Sequence, residues 1–540
     1  MKLFKLIAAI GLIWVTVTLL SILTLPNTSS YMLRGSAIGA YEDNSLSFPI
    51  PSPGSYCESF APNKKQKLFW ADLHSAPPVY LISDFGWTRL STKSSGVALT
   101  QKENEDTFNY SSLVWTKVSR VQEETNAQLF LIPKEANLIF TRMYMFRDNL
   151  GTNFQTARLG IDYACNKQLF NHVPGASAFC RKDYLQLYLN DYKLKFKSLG
   201  LGKCFVDLTP KSFLLKDPNQ CKEFIKITDE LVSKYNETNM PVEWITKDSL
   251  LHKGYGIDLL DFELATYFHT VYNSPFANCD NVLPTHQNMI IQKYINNPAL
   301  IEGRKFDFRV FLFVANADPL IAGWAPRNGH TRLSDQQFNS NSKDFTTHIT
   351  ANVEIENLKT LEFLKKYRFN LQEIANYFQP QIGDVEYWLE NVAYPKLKKI
   401  LIHMLRASQQ NFLIKRVGLF EFYGVDFIMD NTLSNFYLLE SNRRPDVKEK
   451  NPDLQYRETM IVEDFLRLAE YYIEQDFKIN DTKELFSHFQ AFDPLIDETL
   501  ADPYFGVLEK ECSVKFKEMN WDLPIDPMIE PLKYYIDNYF

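Results

Sequence analysis

One run of the chain leaves little choice of fold. From 303 to 314 it reads Gly303-Arg-Lys-Phe-Asp-Phe-Arg-Val-Phe-Leu-Phe-Val314, with Lys305, Asp307 and Arg309 alternating with Phe306, Phe308 and Val310. A period of two puts the charges on one face of a β-strand and the apolar side chains on the other. Such a strand either lies at a sheet edge with its charges in water or turns them into a polar cleft. The preceding segment, Met289-Ile-Ile-Gln-Lys-Tyr-Ile295, reads as a short hydrophobic strand beside it.

A second pair of strands follows. Leu419 to Asp430 and Asn435 to Asn442 are apolar runs around the polar stretch Asn431-Thr-Leu-Ser434, which predicts an antiparallel hairpin. A turn centred near Leu433 sets Asp426 across from Glu440 to within one residue, with Asn442 on the face of Glu440. Two carboxylates and an amide oxygen from adjacent strands suit a hard cation such as Mg2+, which takes few protein oxygens and completes its shell with water and phosphate. An ion pair with a nearby Lys or Arg is the purely structural alternative, because a buried carboxylate left unpaired is costly.

Upstream, a short strand ending at Lys247 precedes Lys253-Gly254-Tyr-Gly256. Glycines let a backbone approach phosphate closely and lysines supply point charges. This is neither a Walker A loop nor a dinucleotide fingerprint, and an ordinary hairpin turn produces the same pattern.

The order of these pieces is more informative than any one of them. The chain resembles the tubulin tyrosine ligase-like family, whose catalytic body is an ATP-grasp fold. Asn171-His-Val-Pro-Gly175 and Arg181-Lys-Asp183 resemble its opening motif, and Trp244-Ile-Thr-Lys247 with Lys253-Gly-Tyr-Gly-Ile257 its phosphate-binding loop. Gln292, Lys293, Tyr294 and Ile295 resemble the segment that contacts adenine. Lys305, Asp307 and Arg309 match its Lys-Phe-Asp-x-Arg strand, Arg332 a downstream arginine, and Asp426, Glu440 and Asn442 its metal-binding set. The chain departs from the pattern at Asp248 (usually Pro), at His348-Ile-Thr350-Ala351 (usually His-Leu-Thr-Asn) and at Arg443-Arg444 beside the metal set.

The resemblance implies an α+β protein: an ATP-grasp ligase body at 165–475 behind an N-terminal α/β subdomain at 61–164, with an extension at 476–540. It also implies ATP-dependent transfer of an amino acid, foremost glutamate, to a carboxylate on an acidic protein tail of the tubulin kind. In that scheme the acceptor carboxylate takes the γ-phosphoryl group, and the free amino acid's amine then displaces phosphate. Lys247, Lys253, Gly254, Gly256, Lys305, Asp307 and Thr350 serve the nucleotide, and Asp426, Glu440 and Asn442 hold Mg2+. Arg309 and Arg332 face the acylphosphate or the incoming carboxylate. An ATP-grasp ligase on an acceptor in the secretory pathway and a nucleotide-binding protein without ligase activity are the alternatives.

Composition bears on partners and compartment. A net charge of −7 excludes a general nucleic-acid binder, which needs a basic excess. Residues 391–420 are locally basic, with Lys396, Lys398, Lys399, Arg406, Lys415 and Arg416 and no acidic residue before 421. That pattern reads as a solvated helix face or as a positive surface for an acidic partner. Behind Lys2 and Lys5, residues 6–25 carry no charge. At about 1.5 Å per residue this run matches the roughly 30 Å hydrocarbon core. A signal anchor is the first expectation, with a cleaved signal peptide or a buried helix as alternatives, and membrane association in the ER, Golgi or secretory pathway follows from it. A Ser/Pro/Gly-rich linker at 26–60 comes next. Seven cysteines without a CxxC pair fit reduced thiols, or three bridges and one thiol left over. Sequons stand at Asn27, Asn109, Asn236 and Asn480.

Overall fold

The structure, a computed structural model, describes residues 67–71, 82, 85–89, 137–140 and 168–513, with short gaps at 174, 177, 252–253, 276, 351–359, 413–415, 444 and 446–450. The expected anchor at 6–25 and linker at 26–60 lie outside the described residues. Among the described residues no helix is long and apolar enough to cross a membrane, so nothing described supports the anchor.

The chain is a mixed α/β protein. Four short strands, β1 (Leu68–Ala71), β2 (Thr88–Arg89), β3 (Leu138–Phe140) and β4 (Leu169–Phe170), form a parallel sheet in the order β2-β1-β3-β4. Helix α1 (Lys182–Ser198) follows.

A second, antiparallel sheet, ordered β5-β8-β6-β7, is built from β5 (Ser212–Leu214), β6 (Trp244–Asp248), β7 (Ile257–Leu259) and β8 (Met289–Lys293). Two helices cover it, α2 (Pro218–Lys234) and α3 (Phe262–Tyr272). Both start where the sequence supplies a cap. The Asp217 carboxylate accepts from the amides of Asn219 and Gln220 with Pro218 in the first turn, and Asp261 accepts from Leu264. Phe213, Phe224, Trp244, Phe268 and Ile291 make the core between helices and sheet.

The largest sheet contains β9 (Leu300–Ile301), β10 (Arg304–Ala317), β11 (Leu320–Leu333), β12 (Glu421–Met429), β13 (Phe436–Arg443) and β14 (Asp493–Asp497). Its order is β13-β12-β10-β11-β14, with β9 beside β10. β10 is therefore central, with β11 and β12 on its two sides, and the edge-strand reading of the alternating run is overturned. One face carries Phe311, Phe313, Ala325 and Phe420 into a core with Ile461, Phe465, Leu468 and Phe492. On the other side of the chain order, α4 (Tyr394–Ser408) buries Leu397, Ile400, Leu401, Met404 and Leu405 at helical spacing. It meets α1, where the Tyr192 hydroxyl lies 3.0 Å from His403 Nδ1. Helix α5 (Gln455–Glu474) supplies Ile461, Phe465 and Leu468 to the core on the first face. Because β14 pairs with β11 from Ile321 to Trp324, a boundary at 475 would cut through the main sheet.

Candidate functional site

The register of the main sheet assembles the site. Asp426 of β12 stands opposite Glu440 of β13 on one side and Arg309 of β10 on the other, while Asp307 stands opposite Arg332 of β11. Leu433, at the hairpin turn, adopts φ 57°. Five charged side chains from four neighbouring strands are thereby stacked across one sheet.

Their contacts are specific. Arg309 grips Asp426 with two parallel bonds, Nε to Oδ1 at 2.7 Å and Nη2 to Oδ2 at 2.8 Å. Arg332 bridges both aspartates, Nε to Asp307 Oδ1 at 2.8 Å and Nη2 to Asp426 Oδ2 at 2.8 Å. Asn442 Nδ2 donates to Asp426 Oδ2 at 3.0 Å and to Glu440 Oε1 at 3.1 Å. Thr350 donates its hydroxyl to Asp307 Oδ2. Gly424 makes the Arg309 geometry possible: a Cβ there would lie 2.9 Å from Arg309 Cδ and Nε.

The opposite wall comes from the smaller sheet. Lys247 is buried and donates to Gln292 Oε1 at 2.7 Å, while Gln292 Nε2 donates to Ser212 Oγ at 3.0 Å. Lys305 is also buried, 3.0 Å from the Tyr294 hydroxyl, which in turn lies 2.7 Å from His348 Nδ1. The loop after Lys247 closes through the Asp248 amide, which donates to Gly256 O at 2.7 Å. Asp248 itself accepts from the Leu250 amide at 2.8 Å, and its own amide is a donor that a proline would lack. Gly254 and Gly256 have φ 84° and 70°, and a Cβ on Gly256 would sit 2.7 Å from Leu251 Cδ1. Only glycine suits that turn.

Between the walls lies an open cleft. Lys247, Gly254, Gln292, Lys293, Tyr294, Ile295, Lys305, Asp307, Arg332, Thr350, Asp426 and Glu440 all line it. Some expected residues are placed differently. Arg309 contacts Asp426, and Asn442 contacts Asp426 and Glu440; neither is among the residues that line the cleft. The Lys293 ammonium turns away to Glu243 Oε2 at 2.5 Å and lies over the Trp244 ring, because alternation along β8 points it opposite to Gln292. Lys253, Ala351, Asn352 and Arg444 lie outside the described residues.

Burial dominates the electrostatics. Desolvation lowers Lys305 to about 7, helped by the charge of Lys247 and opposed by Asp307. Desolvation likewise lowers Lys247 to about 8, against the pull of Glu440. Burial raises the Asp307 carboxyl, with Arg332 resisting. Burial would raise Asp426 as well, but Arg309 and Arg332 outweigh it and hold that carboxyl down at about 2.

Sequence reasoning missed Lys182. It sits at the start of α1 and reaches across to Glu440 Oε2 at 3.5 Å and the Leu251 carbonyl at 2.8 Å. It lies within the opening motif Arg181-Lys-Asp183, which gave it no task, and the packing of α1 against the hairpin brings it there. The opening motif also proves to be a clamp. His172 Nδ1 lies 3.2 Å from Glu421 Oε1, and the Val173 amide donates to Glu421 Oε2 at 3.2 Å, tying 171–175 to the start of β12. The basic stretch is not one surface. Arg406 is buried against Glu498 at 2.6 Å, and Arg416 donates to the Gln168 carbonyl at 3.2 Å.

Among the described residues no group of three or more His, Cys, Asp or Glu side chains could hold a metal ion. The expected set has two carboxylates and an amide, and by donor type it fits Mg2+, which needs few protein oxygens. The Asn442 amide already reaches both carboxylates, and turning it over presents its oxygen to the same point. Asp426, however, accepts four bonds here, so reaching a cation would require it to release one of its present donors.

A family model described as the tubulin-tyrosine ligase family matches residues 162–478. A Rattus norvegicus protein named "Probable tubulin polyglutamylase" is 32% identical over 330 residues, 56% of this chain and 68% of that protein. Its Bos taurus counterpart is 27% identical over the same length and shares. A "Tubulin glycylase" of Tetrahymena thermophila is 28% identical over 246 residues, 44% of this chain but only 21% of that protein. The chain thus spans about two thirds of the two mammalian relatives and about a fifth of the glycylase.

Proposed function

The chain belongs to the tubulin-tyrosine ligase family, and from that premise we propose that it is an ATP-dependent ligase joining an amino acid to a carboxylate of an acidic protein tail. Glutamate is the amino acid we assign, and tails of the tubulin type are the acceptor chemistry that the relatives' names suggest. The body is an ATP-grasp fold, with 61–164 as an N-terminal subdomain and 476–540 contributing at least a strand to the main sheet. One observation carries this reading: two buried lysines and Arg332 share a single cleft with an ionised aspartate and Glu440. Cations for phosphates and carboxylates for a cation-bound polyphosphate thereby line one cleft before any substrate arrives.

Each residue then has a task. Lys247 and Lys305 bind phosphate oxygens as ammonium groups, and Gln292 and Tyr294 orient them. Gly254 and Gly256 let the loop backbone close over the phosphates. Asp426, Glu440 and Asn442 would hold Mg2+, which would neutralise charge on the transferring phosphoryl group. Arg332, freed from Asp426, is placed to bind the acceptor or donor carboxylate with its forked N–H groups. Arg309 keeps Asp426 ionised and oriented. Catalysis is mainly positioning and charge neutralisation, since phosphoryl transfer gives the protein little covalent work.

The test uses the full chain with ATP, Mg2+, an acidic acceptor peptide and labelled glutamate or glycine. The expected result is ADP release with label transfer, and loss of both in Glu440→Gln. Label transfer equal in wild type and Glu440→Gln would overturn the metal-site assignment, and ATP binding without transfer of either amino acid would overturn the ligase reading.

A further inference from the structure

Of the five cysteines among the described residues, four are joined in the fold. Cys204 pairs with Cys512, 308 residues away, and Cys221 with Cys279, at Cα separations of 5.6 and 5.5 Å. All four are buried. The first bridge fastens the segment after α1 to the far end of the described chain. The second lies in the α2 and α3 core, with Phe224, Trp244 and Phe268. Cysteines are at home in apolar interiors as thiols, but two separate pairs at bonding distance are characteristic of oxidising compartments and rare in reducing ones.

The sequons supply an independent observation. Of the two within the described residues, Asn480 is a poor acceptor: its Nδ2 donates to Gln475 Oε1 at 2.6 Å, and its Thr482 is buried against Asp497 and Thr499. Asn236 is the opposite case. Asn236, Glu237 and Thr238 are all exposed in the turn after α2. The Thr238 amide and hydroxyl donate to Asn236 Oδ1 at 3.2 and 2.8 Å, so the side-chain nitrogen takes no part in these bonds. An exposed Asn-x-Thr turn is what N-linked glycosylation requires. The uncharged run at 6–25 behind Lys2 and Lys5 agrees with entry into the same compartment.

We propose that this catalytic body matures in the secretory lumen, with both bridges formed and an N-linked glycan on Asn236, and that the acidic protein it modifies resides in that compartment. The clause on the acceptor rests on the ligase reading above; the bridges and the glycan do not. Each bridge forms by exchange with an oxidised dithiol carrier protein: the chain loses two S–H bonds and gains one S–S, while the carrier's disulfide is reduced to two thiols. Glycan transfer joins Asn236 Nδ2 to the anomeric carbon of an oligosaccharide. The bond from that carbon to a lipid pyrophosphate breaks, and the amide gives up one proton.

The full chain is expressed in animal cells, alkylated with N-ethylmaleimide before lysis, and digested without reductant for peptide mapping. Cross-linked Cys204–Cys512 and Cys221–Cys279 peptides are expected. Release of the glycan by an amidase in heavy-oxygen water should convert Asn236 to labelled aspartate, and Asn236→Gln should remove one mobility step. Four alkylated cysteines with unmodified Asn236 would overturn the proposal; bridges without a glycan would overturn the Asn236 site alone. If bridges and glycan are present but no acidic acceptor is modified, the ligase reading fails and the compartment stands. Transfer to tubulin but not to acidic lumenal proteins, from the same preparation, would overturn the acceptor clause.

Discussion

Two charged stretches of this chain look alike in sequence and end in opposite physical states. In β10, Lys305, Asp307 and Arg309 turn inward and meet Arg332, Asp426 and Tyr294, so that every charge is held by named partners. In α4 and the loop after it, the basic residues scatter. Lys396 bonds the Ser434 carbonyl, Lys398 lies over the Trp324 ring, Arg406 is buried against Glu498, and Arg416 holds a backbone carbonyl. A cluster of like charges in sequence becomes one surface only if the fold leaves it in water on one side. Here the helical period spreads the cations around α4, whereas the strand period gathers its charges on one face.

That contrast can be broken by substitution. The largest effect is expected at Asp426→Ala, which leaves Arg309 and Arg332 without their shared carboxylate. Breaking a buried pair from one side costs about 3–5 kcal/mol, so urea unfolding should show a loss of that order together with loss of activity. An unchanged unfolding midpoint would contradict the buried network. Glu440→Gln is the counter-case. Its side chain is partly exposed and only loosely engaged by Lys182, so stability should stay within about 0.5 kcal/mol while turnover falls by roughly 10²–10³, as when one stabiliser of transition-state charge is removed.

Arg406→Met comes next. It strands Glu498, whose side chain is 30% exposed and can hydrate, so a loss of about 2 kcal/mol is expected. Turnover per folded molecule should be unaffected. A turnover defect without a stability defect would restore a binding role to the basic stretch.

The pH response of the two lysines gives a smaller but sign-specific effect. Their folded values, about 7 for Lys305 and about 8 for Lys247, lie below the ordinary lysine value of 10.5. Below pH 7 both are charged in either state and the cost of burial is fully present. Between about 7 and 10.5 the unfolded chain binds protons that the folded chain has lost, so these groups make the free protein more stable as pH rises. Nucleotide phosphates need the ammonium forms, so affinity should instead fall over pH 7–9, by at most about tenfold per unit for each proton taken up. Calorimetry in buffers of different ionisation enthalpy would show the proton uptake, and Lys305→Met should abolish part of it. Smallest of all, reversing charge at Lys399 should alter stability by less than about 0.5 kcal/mol, and acceptor modification should be unchanged. A large loss of modification would revive the acidic-tail surface.

Much of the site was legible because it is written in local periods. Alternation from Lys305 to Arg309 defines one strand face, and the spacing around Leu433 sets Asp426 opposite Glu440. Both follow from the two-residue repeat of a strand and need no knowledge of the rest of the chain. The ordered motifs along 162–478 carried the family. What stayed hidden depends on contacts between distant segments. No local pattern announces that Lys182 reaches Glu440, that Arg309 spends its guanidinium on Asp426 across a position kept open by Gly424, or that β14 pairs with β11. The same holds for the cysteines: seven thiols admit many pairings, and only packing sets Cys204 beside Cys512.

The sequence by itself determined the strands, the hairpin register and the chemical types that face the cleft, because hydrogen-bond periodicity and turn geometry act over a few residues. Tertiary structure alone decided which charges are buried, which partner each one takes, and hence which lysines titrate near neutrality. Burial and Coulomb interaction depend on distance in space, and along this chain residues 117 apart, Arg309 and Asp426, are nearest neighbours.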